Sequence, residues 1–64
     1  MSNPLPPMKK ARVTLGLTQF ELGKLCGLSR WKVQAIEKGY FEPKPEDKKA
    51  IAKALKEPVK EIFP

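Results

Sequence analysis

Arg30, Trp31, Lys32, Gln34, Ala35 and Lys38 crowd two cations, an amide, a large ring, a methyl-sized side chain and a third cation into one short stretch. These are groups that can meet the edges of base pairs. A guanidinium in the place of Arg30 can donate a bidentate pair of hydrogen bonds to guanine O6 and N7, while Ala35 and the Trp31 ring suit thymine methyls. The rest of the chain offers little competing chemistry. It has no histidine and a single cysteine, Cys26, so neither a nucleophile–base pair nor a zinc site can be assembled, and no phosphate-binding loop is present. An enzyme is not expected, and neither is a metal or cofactor.

Those side chains need a helix, held so that one face is free. Leu17 to Gly39 encodes two helix starts separated by a glycine turn. Thr18 is an N-cap, Glu21 three residues later completes a capping box, and Leu17 and Leu22 stand at the positions of a hydrophobic staple. A helix therefore starts at Gln19, with Leu22, Leu25 and Cys26 as its apolar face, and Gly27 closes it in a left-handed conformation. Ser29 caps the next helix, Leu28 and Val33 repeat the staple, and Val33 with Ile36 forms the buried stripe until Gly39. At 100° per residue, Trp31, Gln34, Ala35 and Lys38 then point outward, with Arg30 and Lys32 on the flanks. An outward tryptophan calls for a contact outside the fold. Arg30 and Lys32 also lie in the positive first turn, a placement that a phosphate or guanine edge makes favourable.

Two short helices joined by a tight turn form a helix-turn-helix, in which the first props the second against a DNA major groove. The string Gly16-Leu17-Thr18-Gln19, Glu21-Leu22, Gly27-Leu28-Ser29, Val33, Ile36-Glu37 and Gly39 resembles the DNA-binding domain of the XRE family, the Cro and lambda-type phage repressors, over about residues 8–63. The resemblance implies an all-α fold, a lambda-repressor-like bundle of four to five helices. It implies base contacts at Arg30, Trp31 and Ala35, to which outward Gln34 is added, although the family usually carries glutamine, serine or another small polar residue at the first two. It implies a phosphate contact from Gln19, and backbone contacts from the loop after the recognition helix, for which Lys38, Tyr40 and Lys44 are the candidates beside Lys32 on the flank. It also sets Arg12 against Glu37 in a partly buried ion pair, and puts a small residue at Gly23, where the two motif helices cross.

Around the motif, residues 1–7 carry three prolines and predict an extended arm, leaving residues 8–64 as one domain. Met8, Ala11 and Leu15 predict the inner face of a first helix opened by Pro7, with Lys9, Lys10 and Arg12 on its other faces. Pro45, Glu46 and Asp47 open a fourth whose inward stripe is Ala50, Ile51, Ala54 and Leu55. Pro58 opens a short last helix over residues 59–63, with Ile62 and Phe63 closing the core or joining a dimer contact.

Sixty-four residues leave no room for an effector-sensing domain, so no small-molecule effector is expected. A net charge of +6 favours polyanionic partners, and the unpaired Cys26, expected in the core, suits a reducing, cytoplasmic setting without a membrane. The expected partner is a double-stranded DNA operator bound by a homodimer. The competing expectation is a protein-interaction module, such as an antitoxin-like partner, using the Trp31 or Phe63 surface.

Overall fold

The capping box forms as its sequence requires: Thr18 Oγ1 accepts the Glu21 backbone N–H at 3.0 Å, and Glu21 Oε1 accepts the Thr18 N–H at 2.9 Å. Two of the donors that a helix start leaves without partners are thereby satisfied. In the computed structural model, which describes residues 6–64, the chain forms α1 (Pro7–Thr14), α2 (Gln19–Cys26), α3 (Arg30–Glu37), α4 (Pro45–Leu55) and α5 (Val59–Ile62), with no strand among the described residues. The expected arm lies outside these residues except for Pro6 and Pro7, the N-cap and first residue of α1.

Gly27 ends α2 at φ 75°, and Ser29 Oγ accepts the Lys32 N–H at 3.1 Å to start α3. The turn between them is therefore fixed by its own residues. Gly23 gives it a second constraint. A Cβ at this position would stand 2.4 Å from the carbonyl oxygen of Leu28, so the requirement for a small residue comes from the backbone of the turn leading into α3.

Met8, Leu22, Val33, Ile36, Ile51, Ala52, Leu55 and Ile62 draw all five helices onto one core, with Leu17, Cys26, Leu28 and Phe63 packed at its margin. Ile62 thus closes the core while Phe63 is half-buried. Three expectations need correction. Leu25 is 62% exposed, because burying Gly23 beside Leu22 turns α2 so that its inward stripe is Gln19, Leu22, Gly23 and Cys26. Leu15 is exposed because α1 stops at Thr14, and Arg12, expected on another face, takes the buried place one turn after Met8. On α4, Ala52 is buried beside Ile51 and Leu55, while Ala50 and Ala54 are half-buried.

Burying Arg12 is tolerable only because its charge is matched. Its Nε donates to Glu37 Oε2 at 2.6 Å and its Nη2 to Oε1 at 3.3 Å, while Nη1 donates to the Leu17 carbonyl at 2.7 Å. A planar guanidinium and a carboxylate can share two bonds in this way. The pair ties α1 to the last residue of α3.

Candidate nucleic-acid interface

Helix α3 is held from behind and left free in front. Val33 and Ile36 are buried, and Glu37, the one carboxylate of the helix, is buried and paired with Arg12. The outer face therefore carries no acid. Arg30 and Trp31 stand exposed in the first turn, and Gln34 and Ala35 follow, half-buried, one turn on. Trp31 keeps 64% of its surface exposed, and the Arg30 guanidinium lies over its ring at 4.5 Å. That distance is within cation–π range, so the ring and the guanidinium steady each other.

The fold brings Gln19, Arg30, Trp31 and Gln34 together around one cleft of about 310 Å³, completed by Thr18 and Phe20. Gln19 is fixed inside it, because its Nε2 donates to Glu37 Oε1 at 3.1 Å. The ion pair that anchors α3 thus also orients the first side chain of α2. The other sequence candidates sit elsewhere. Lys32 is half-buried and turns to the Phe41 ring, 4.8 Å from its Nζ. Lys38, the C-cap of α3, and Tyr40 are exposed beyond its end, and Lys44 is exposed as the N-cap of α4. Glu42, of the wrong sign for a phosphate, is bound by Lys48 at 2.7 Å, which ties this loop to α4. The loop's free charge is basic.

Phe20 was not among the expected contacts, yet it is 58% exposed and lines both this cleft and a neighbouring one of about 450 Å³ formed with Lys24, Leu28, Ser29, Arg30 and Trp31. Lys24 lies one turn after it, with Nζ 5.6 Å from the ring. The signal was in the helical phase: once the stripe runs through Leu22 and Gly23, Phe20 falls about 110° to one side of it and Leu25 about 110° to the other.

Cys26 sits behind the motif, half-buried, with Sγ 3.9 Å from the Ala50 carbonyl. Burial, and then the nearby Asp47 charge, push its thiol pKa up. A thiol so placed resists ionisation and acts as packing. No helix among the described residues is long and apolar enough to cross a membrane.

A family model described as "Helix-turn-helix" matches residues 8–62. The chain is also similar to a protein of Methanothermobacter thermautotrophicus named "Uncharacterized HTH-type transcriptional regulator", with 39% identity over 57 residues, 88% of this chain and 83% of that one. No solved structure gives a significant match.

Proposed function

Because the chain belongs to the XRE-type helix-turn-helix family, we propose that it is a non-enzymatic, sequence-specific double-stranded DNA-binding regulator of transcription. The carrying observation is the outer face of α3, where Arg30, Trp31, Gln34 and Ala35 are offered together while Glu37 is drawn inside and neutralised. In this reading α3 enters the major groove. Arg30 reads guanine, Trp31 and Ala35 meet apolar edges, and Gln34 contacts a base in the second turn. Gln19 contacts the sugar-phosphate backbone, as do Lys32, Lys38, Tyr40 and Lys44, which set register without reading sequence.

The protein acts as a homodimer on two half-sites one helical turn apart and represses by obstructing polymerase in the cytoplasm. Selection of duplexes from a random library at moderate salt tests this. An inverted repeat at one-turn spacing is expected, with affinity falling steeply as salt rises and Arg30→Ala relaxing preference at one guanine by about 1–3 kcal/mol. Salt-tolerant capture of a protein without any enriched motif would instead favour the protein-interaction module.

A further inference from the structure

Resting on that DNA-binding reading, we propose that the cleft between Phe20 and Trp31 recognises the 5-methyl group of a pyrimidine, thymine or 5-methylcytosine, next to the guanine held by Arg30. Two large rings stand exposed here, one from α2 and one from α3, and both line the two clefts together with Arg30. A duplex hides the faces of its bases in the stack. In the major groove the apolar group that remains within reach is the methyl at C5 of thymine, and 5-methylcytosine places the same group at the same position. Rings that approach such a groove therefore have a methyl to cover.

The surroundings fit that ligand. Neither cleft is lined by a carboxylate, while Arg30 and Lys24 supply cations for the polyanion. The Arg30 guanidinium already lies over the Trp31 ring, 4.5 Å from its centre, and its N–H groups can donate to guanine O6 and N7. Methyl group and guanine would thus be read as one step. Phe20, which lies outside the recognition helix, becomes a specificity-determining residue, and Trp31 has a double role as a wall of the cleft and a positioning residue for Arg30.

The test uses random duplex pools that differ in one carbon: thymine or uracil throughout, and separately cytosine or 5-methylcytosine. The thymine pool should be retained about four-fold better per site than the uracil pool, the effect of burying one carbon group. The 5-methylcytosine pool should gain by a similar factor wherever a guanine adjoins. Phe20→Ala should lower both preferences, and Phe20→Leu should retain them. Trp31→Ala should lower both the methyl and the guanine preference, with Trp31→Phe restoring them in part. Equal retention of methylated and unmethylated pools overturns the methyl cleft and leaves duplex binding standing, as does an unchanged preference in Phe20→Ala. Tighter binding to an unpaired strand than to any duplex would mean that the rings stack on bases, which also overturns it. Binding to no pool at low salt overturns the DNA-binding reading and this one together.

Discussion

The α2–α3 motif and the α4–α5 end of the molecule are built by different means. In the motif, side chains fix the helix starts, Thr18 with Glu21 and then Ser29, and Gly27 supplies the left-handed stop. In the other half, neither Lys44 nor Pro58 makes a side-chain cap bond, and α4 stops on Lys56 at φ 59°. That half is held instead by buried Ile51, Ala52, Leu55 and Ile62. A packed end need only be stable, whereas α3, in the proposed function, must be presented at one angle. The motif therefore carries its specification locally; Leu22, Val33 and Ile36 seat it on the shared core, and the buried Arg12–Glu37–Gln19 network ties it to α1.

Cutting that network should have the largest effect. Glu37→Ala would leave the Arg12 guanidinium buried without its carboxylate and release Gln19, at a cost of roughly 3–5 kcal/mol. A domain of this size commands roughly 3–10 kcal/mol in all, so the variant should lose a third or more of its stability and unfold at a much lower urea concentration than wild type. Replacing both partners, Arg12→Met with Glu37→Leu, should recover most of the loss, since a matched apolar pair has no charge to desolvate. Recovery in stability without recovery of DNA affinity would assign the network to orientation; recovery of both would assign it to folding alone.

Gly23→Ala comes next. Helix propensity alone favours alanine by about 1 kcal/mol. The added Cβ, however, would meet the Leu28 carbonyl oxygen at 2.4 Å, in the turn where the Leu28 N–H also donates to the Gly23 carbonyl at 2.8 Å. Backbone must move to admit it, so the variant should be destabilised by about 1–3 kcal/mol, as overpacked sites are. A rise in melting temperature would show instead that the turn is soft, and would remove the contrast between the two halves.

These two sites also mark where the sequence was and was not legible. Capping is a short-range pattern, so the bounds of α2 and α3 could be read from Thr18, Glu21, Gly27 and Ser29. The buried Arg12 could not be read from periodicity, because an arginine at an inward position looks like a surface residue until its partner, far along the chain, is known; the family resemblance supplied the pair. Leu25 was misplaced because the rotation of α2 is set by how closely Gly23 approaches the turn. At the candidate interface, Trp31 is legible as an outward ring on a short helix, with Arg30 on its flank. Phe20 is not, since its exposure follows from that same rotation.

The opposite half offers a gain. Lys56 holds a left-handed conformation that costs an L-residue about 1–2 kcal/mol, while its N–H and that of Glu57 bond back to Lys53 and Ala52 at 3.2 and 3.0 Å. Lys56→Gly should keep these bonds and relieve the backbone. After the greater freedom of glycine in the unfolded chain is counted, a net gain of about 0.5–1 kcal/mol is expected in thermal melts. DNA affinity should change little, because Lys56 lines a cleft with residues of α1 and α5 and none of α3. A loss of stability would mean that α4 is stopped by the lysine side chain and not by the backbone bonds.

The smallest effect tests the motif's local specification directly. The Glu21 pKa is lowered, chiefly by the hydrogen bond from the Thr18 backbone N–H, then by the Thr18 side chain, and least by the charge of Lys24. A carboxyl whose pKa is depressed by folding stabilises the fold at pH values above its unfolded pKa, and the contribution disappears as pH falls through the native value. The capping box should therefore weaken only in acid, below the ordinary glutamate range. Glu21→Gln keeps an acceptor for the Thr18 N–H but no charge. The stability difference between wild type and Glu21→Gln should accordingly be constant near neutrality, shrink as the pH drops through that acid window, and close once the glutamate is protonated. Denaturant melts of the two proteins across that range provide the measurement. A difference that stays the same at every pH would show that carboxylate charge contributes nothing to the cap, leaving the geometry of the hydrogen bond as its whole basis.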